Sequence, residues 1–592
     1  MKNSSKTLGI CFAIVAGMFG ETNVAFSQVT LTVSPSIISN SYTGDITLQI
    51  GGLTNGETVN MLTYVDLNGN GTVDPGEPLV DEFQITDNGS NGIYGTVTNV
   101  NIPIDSNPAG GAISTALNFA PALTLGNIVG QQIFTVVSQS GRFAPVTATL
   151  VVTNAATTQG ISGTVFNGAT PLPNAVVVAL TVSDQNYQAS AVADNSGNYS
   201  INLNPGQYML LATLPNYYTG VSPTVNLTNG IPATANLSLT PGTVTIAGQV
   251  YDAATSNGLG GILLQMQSGN LTAIAITDTN GNYSAAVTAG FWKIKPDKER
   301  LARRAYVVSQ NTFQVDATGG AVSNANIALY KGTALFYGRI TDGSGAPLAN
   351  VEFDADDGNN QFDAKGFSNP AGYYAVAVLG STNDDWYCSG NSGSGLGNYI
   401  LNTFENMIVP PQQAVEEDFV ALPITASISG RVVDDSGNPV AGVSLYAQQF
   451  DGSYQSLNES TDSSGNYSLG VDSGTWEVGF ELGGQSGLDT AGFADLFGPY
   501  EVTIPPTNAD LNITVYPLGA ALLSQVSRSS PTQFTLSISG VVNQNYTLQV
   551  STNLASTNWS SLFSFIPTNS PFQVIDRTAT NSPRFYRAVK AQ

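Results

Sequence analysis

Asp194-Asn-Ser-Gly197-Asn-Tyr199-Ser recurs as Asp278-Thr-Asn-Gly281-Asn-Tyr283-Ser and Asp462-Ser-Ser-Gly465-Asn-Tyr467-Ser, with a degenerate copy at Ser368-Asn-Pro-Ala-Gly372-Tyr-Tyr374. Each copy reads as a hairpin turn. The aspartate at its head accepts hydrogen bonds from the turn amides. The glycine takes the positive φ that follows. The tyrosine opens the next strand and covers the edge of the core. Upstream of each turn stands a glycine with a β-branched residue two places on: Gly163-Thr-Val165, Gly248-Gln-Val250, Gly338-Arg-Ile340 and Gly430-Arg-Val432, spaced 85, 90 and 92 residues apart. Between the two lies a turn that feeds an apolar strand. It is Ala169-Thr-Pro171-Leu-Pro-Asn174 in the first copy, Gly345-Ala-Pro347-Leu-Ala-Asn350 in the third and Gly437-Asn-Pro439-Val-Ala-Gly442 in the fourth. The second copy has Gly258-Leu-Gly-Gly261 and lacks the proline. Downstream an aromatic returns in Gly206-Gln-Tyr208, Gly290-Phe-Trp292 and Gly474-Thr-Trp476.

Self-similarity of this kind marks a tandem array of one folding unit. Composition agrees with an all-β reading: 62 glycines and 42% hydrophobic residues in 592 supply turns and cores. The same counts exclude function classes. Histidine is absent, which removes Ser-His-Asp and Cys-His catalysis and His-containing zinc sites. With 42 acidic and 18 basic residues the formal charge is −24, against nucleic-acid binding.

The repeated arrangement resembles the carboxypeptidase regulatory-like domain, a transthyretin-like β-sandwich. The resemblance implies spacers, stabilisers or adhesive units of exported proteins, and some related sandwiches bind carbohydrate. The expected organisation is a signal peptide over 1–27, an N-terminal immunoglobulin-like sandwich over 28–155, repeats over 156–243, 244–331, 332–424 and 425–518, and a C-terminal sandwich over 519–592. The whole is an all-β chain of about six β-sandwich domains. The signal-peptide reading rests on Lys2 and Lys6, the apolar run Leu8 to Gly20, and Ala25-Phe-Ser27 before the expected cleavage. No stretch reaches the length of a transmembrane helix, so the expected location is extracellular or cell-surface, with the periplasm left open. The last module, with Trp559 expected in its core and Arg584-Phe-Tyr-Arg587 in its last strand, is similar to small sandwiches that end large exported bacterial proteins, with a fibronectin type III layout.

Within 28–155, Asp66-Leu-Asn68-Gly-Asn70-Gly71-Thr72-Val73-Asp74-Pro-Gly-Glu77 matches the EF-hand calcium loop at its diagnostic positions. Ligands would be the side chains of Asp66, Asn68, Asn70, Asp74 and Glu77 and the carbonyl of Thr72. Gly71 permits the turn, and Val73 is expected to anchor the loop to the core. The flanks read as strands, and Pro75 and Pro78 oppose an exiting helix. Calcium is therefore expected as a structural ion of modest affinity between strands.

The remaining polar groups read more plainly. Asp354-Ala-Asp356-Asp357 is expected as a solvated acidic loop, with a second ion site as the alternative. Six of the 18 basic residues, Lys293, Lys295, Lys298, Arg300, Arg303 and Arg304, share one short stretch. It reads as a solvated loop offsetting the negative field, the alternative being docking of an anionic polymer or an acidic neighbouring module. With Cys11 in the leader, Cys388 is alone; it is expected as a small residue of a Gly/Ser-rich loop, with an intermolecular bridge as the alternative. The functional expectation is a non-enzymatic structural or adhesive protein. The alternative is a carbohydrate-binding protein that uses exposed aromatics, Tyr217 with Tyr218 and Trp386 with Tyr387. Partners would be carbohydrate or other surface proteins.

Overall fold

The computed structural model describes residues 28–590 apart from 90–91, 120–126, 158, 183–186, 312, 392–395, 397, 402–406, 453, 457–458, 484–485, 505–507, 519–520, 531, 555–557 and 579–583. The expected signal peptide lies outside them. Among the described residues there is no α-helix; a 3-10 turn, Glu299–Arg304, interrupts an otherwise all-β chain. No helix there is long and apolar enough to cross a membrane.

Alternating burial builds the N-terminal module. In Asp45–Gly51 every second side chain, Ile46, Leu48 and Ile50, points into the core. That strand lies between Thr30–Ser34 and Ile113–Asn118. The opposing sheet runs through Thr58–Asp66, Ile128–Ser138 and Val146–Thr153.

In each repeat the glycine strand pairs antiparallel with the tyrosine strand, and the register puts the two marker residues opposite one another: Gly163 with Tyr199, Gly248 with Tyr283, Gly338 with Tyr374, Gly430 with Tyr467. The reason is one carbonyl. The tyrosine hydroxyls donate to the carbonyls of Ala235, Ala325, Glu417 and Leu511 at 2.5–2.7 Å. A Cβ on the facing glycine would stand 1.8–2.1 Å from that same carbonyl oxygen. Glycine opens the space and tyrosine satisfies the acceptor that fills it. The turn works as the sequence implies: Asp194, Asp278 and Asp462 each accept two turn amides through Oδ1, and Asn369 does so in the third copy. The downstream aromatics close the other end. Tyr208, Trp292 and Trp476 each donate to the carbonyl four residues back, those of Asn204, Thr288 and Asp472.

The modules do not follow one another as separate beads. Tyr187–Val192 of the first repeat pairs parallel with Ile128–Ser138 of the N-terminal module. Gly220–Val221 pairs with Leu271–Ile276 of the second repeat, and Tyr306–Ser309 of the second repeat pairs with Phe362–Ser368 of the third. A shared core joins Val65 and Val80 to Val178 and Leu180 and to Leu263 and Ile274. The N-terminal module also reaches the third repeat: Asn118 Nδ2 donates to Asn350 Oδ1 (2.7 Å), and Asn101 makes two hydrogen bonds with the backbone of Phe367.

Beyond the third repeat the chain is looser. Ile400, Leu422 and Ile424 pack on the core of the fourth repeat. The C-terminal module has a small core of Leu536, Ile538, Leu548 and Val574, and Asp576 ties Arg584, Thr578 and Tyr586 together. Its last strand is Phe585–Lys590. Trp559 departs from expectation: it is half-buried under the Arg587 guanidinium (4.5 Å) and is not a member of that core.

Candidate functional site

Thr58–Asp66 and Leu79–Thr86 are antiparallel, and the candidate metal loop joins them. Asp66, the last residue of its strand, accepts the amides of Gly69 and Asn70 on Oδ1 and of Gly71 on Oδ2. Glu77 reaches back to the amides of Leu67 and Asp74. Asp74 Oδ2 accepts both side-chain amides, from Asn68 (2.7 Å) and Asn70 (2.6 Å). Asn68 and Asn70 accept the amides of Asn70 and Thr72. The five expected side-chain ligands are thus all engaged in hydrogen bonds within the one loop. Burial raises the Glu77 pKa, and the nearby Asp66 and Asp74 carboxylates add to it while two backbone amides oppose. Among the described residues no three His, Cys, Asp or Glu side chains make a metal cluster by themselves.

Gly71 has φ 76°, as the turn demands. Val73 is corrected: it is 39% exposed, because the loop is held by Leu67, which packs on the core shared by the N-terminal module and the first two repeats.

The aromatic candidates for sugar are also corrected. Trp386 is 2% exposed in the core of the third repeat and donates to the Leu379 carbonyl. Tyr218 is buried against Trp292 of the next repeat, edge on at 6.1 Å. Tyr217 and Tyr387 are half-buried. No open face of coplanar rings is formed by these four.

The basic stretch is not a solvated loop. Lys293 and Lys295 point outward from Phe291–Pro296, but the following residues turn inward. Lys298 pairs with Asp363 and lies 3.8 Å from Asp354, both of the third repeat. Arg300 pairs with Asp297 (3.0 Å) and lies over the Tyr187 ring of the first repeat (4.7 Å). Arg303 is buried, pairs with Asp81 of the N-terminal module and donates to the Asn118 carbonyl (2.6 Å). Arg304 donates to the Gly260 carbonyl (2.6 Å). One short segment thus holds four modules, and the acidic-neighbour alternative describes it.

The acidic stretch is a strand, Glu352–Asp357, and not a loop. Lys365 bridges Glu352 (2.8 Å) and Asp354 (2.7 Å) in the interior. Asp357 caps a turn through the amides of Gln361 and Phe362. Cys388 lies in the strand Asp385–Asn391 and is 3% exposed, which removes the intermolecular bridge; burial pushes its thiol pKa far up.

What sequence reading missed is the seat for this segment. Gly260 and Gly261 replace the expected proline turn, and a Cβ there would meet Glu82 Oε2 at 2.3 Å or the backbone of Asp81 at 3.1 Å. The signal was present: the copy that lacks the proline is the copy that carries the cations.

Residues 160–240 match the carboxypeptidase regulatory-like domain. No curated protein matches the chain. Solved structures similar to it include the Bacillus anthracis TIE protein, at 10% identity over 83% of this chain and 74% of that one, with a TM-score of 0.16. The minor pilin GBS52 of Streptococcus agalactiae is 13% identical, covers 33% of this chain and 100% of its own, and has a TM-score of 0.15. BcpA, the major pilin subunit of Bacillus cereus, is 8% identical, covers 61% and 99%, and has a TM-score of 0.13. They stand as points of comparison only.

Proposed function

We propose that this chain is a non-enzymatic structural protein, exported to the cell surface, with a calcium-stabilised loop in its first module. One observation carries the reading: the residues that recur across the repeats, in three copies or in all four, serve the sandwich itself. The aspartate holds a turn, glycine and tyrosine share one carbonyl, and the downstream aromatic closes a strand end. Groups of that kind maintain a scaffold and carry no chemistry. Carbohydrate binding through exposed aromatics of the sandwiches loses its support, since Trp386 and Tyr218 are core residues.

The donor set of Asp66, Asn68, Asn70, Thr72, Asp74 and Glu77 fits a hard cation, all oxygen and three of six carboxylate. Calcium would require Asn68 and Asn70 to turn from donating to Asp74 to presenting Oδ1. It would relieve the repulsion by which the Asp66 and Asp74 carboxylates raise the Glu77 pKa. The test uses the chain from residue 28 onward, melted with calcium and with chelator, beside Glu77→Gln. Calcium should raise the melting temperature of the parent and leave Glu77→Gln unchanged; an unchanged parent overturns the calcium assignment. Protease treatment of intact producing cells addresses location: digestion supports a surface position, and full protection overturns it.

A further inference from the structure

The cations around the hub have carboxylate partners, with one exception, half-buried Arg304 beside solvent-exposed Lys331. Lys298, Arg300, Arg303 and Lys365 are all ion-paired. Arg304 and Lys331 stand together and form no ion pair among the described residues. Arg304 spends one donor on the Gly260 carbonyl, and the Lys331 ammonium donates to the Arg304 carbonyl. Both cations lie over the ring of Tyr306, at 5.8 and 4.8 Å. The nearby Asp252 does not compensate them directly. Its Oδ2 accepts the Tyr306 hydroxyl, and its Oδ1 is filled by Ala254 and Thr255. Lys331 ends its strand exposed to solvent, at the rim of the space beside Arg304.

These two cations line a cavity of about 600 Å³ where the N-terminal module and the second and third repeats meet. That volume is in the range of small-molecule sites, roughly 300–1,000 Å³. The N-terminal module contributes Glu82, whose Oε2 accepts the Gly260 amide (3.0 Å). Asn257 and Gln412 add amides. A bare inorganic anion gains from Arg304 and Lys331 and is repelled by Glu82. A ligand with hydroxyls beside its oxyanion satisfies all three groups. The geometry points to a binding site for an acidic saccharide unit, its carboxylate on Arg304 and Lys331 and its hydroxyls on Glu82. Charge-assisted contacts of this sort give both strength and selection against neutral sugars.

The experiment is calorimetric titration of the chain from residue 28 onward with glucuronate, glucose and inorganic sulfate. Glucuronate should bind about tenfold or more tightly than either of the others, one lost charge-assisted contact being worth about that factor. Lys331→Gln should weaken glucuronate about tenfold. Arg304→Gln should do the same, but it also loses the Gly260 contact, so Lys331→Gln decides. The double variant Lys293→Gln, Lys295→Gln alters only outward-facing charges and should bind as the parent does. Equal binding of glucose or of sulfate overturns the saccharide assignment. An unchanged Lys331→Gln, or a loss in the Lys293/Lys295 variant instead, overturns the site.

Discussion

The second and fourth repeats carry the same turn, the same glycine and the same buried tryptophan, yet their surroundings differ. Around the second repeat, Tyr218 of the preceding module packs on Trp292, Asp81 of the N-terminal module pairs with Arg303, and Tyr306–Ser309 adds a strand to the following module. The fourth repeat receives Ile400, Leu422 and Ile424 from one neighbour and a 3.4 Å hydrogen bond from Ser570 to the Leu496 carbonyl from the other. The turn glycines show the contrast in miniature. A Cβ on Gly261 meets Asp81 at 3.1 Å, whereas one on Gly442 meets nothing within 4 Å. Shared residues hold each sandwich together; departures from the pattern hold its neighbours.

The largest expected effect follows from Arg303→Met. It removes the Arg303 guanidinium from the Asp81 carboxylate and from the Asn118 carbonyl. Breaking a buried pair from one side costs about 3–5 kcal/mol. Hydrogen exchange read by mass spectrometry should show faster exchange across the first four modules. Gly474–Phe480, in the fourth repeat, should be unaltered. Uniform acceleration along the whole chain would erase the proposed distinction between the two regions.

A matched pair sharpens the same contrast. Gly248→Ala places a Cβ 2.1 Å from the Ala325 carbonyl, and Gly430→Ala places one 1.9 Å from the Leu511 carbonyl. The local clash is alike, about 1–3 kcal/mol in each. Its reach should differ. Calorimetry should show Gly248→Ala lowering a transition shared by several modules and Gly430→Ala lowering one confined to the fourth repeat. Confinement of both to their own modules would mean that the shared sheets do not couple stability.

The sandwich was legible in the sequence wherever its cause is local. An aspartate that folds over its own turn, a glycine at positive φ and a period-two strand need only a few neighbouring residues. The carbonyl shared by Gly163 and Tyr199 was not legible, because the acceptor, Ala235, is set by a parallel pairing that no local pattern announces. The basic stretch was misread for the same reason. Asp81, Asn118 and Asp363 lie in other modules, and only the fold places them beside it. For the candidate metal loop, spacing disclosed the flanking strands. It misassigned Val73, since the apolar anchor that the next modules cover is Leu67.

The smallest effect expected here probes the hub by pH. Asp356 lies on the strand Glu352–Asp357, where burial first and then the Asp354 and Asp363 carboxylates raise its pKa to about 6, against Lys298 and Lys365. The usual aspartate value is 3.8. Between those two values the folded chain holds a proton that the unfolded chain has released, so this group weakens the fold increasingly as pH rises through about 6. Asp356→Asn removes the charge and keeps an acceptor for Gln310 Nε2, which donates to Asp356 at 2.6 Å. The variant should be more stable than the parent above pH 6, by on the order of 1 kcal/mol after allowance for solvent screening. The gain should shrink to nothing as pH falls to about 4. Asp354 supplies the opposite sign: burial opposes it, but Lys365 and Lys298 hold its pKa below the usual value, so Asp354→Asn should cost stability at neutral pH. Urea midpoints of both variants across that range decide the matter. If Asp356→Asn gained nothing at neutral pH, or kept its gain in acid, the carboxylates around Lys298 and Lys365 would not be coupled as the hub requires.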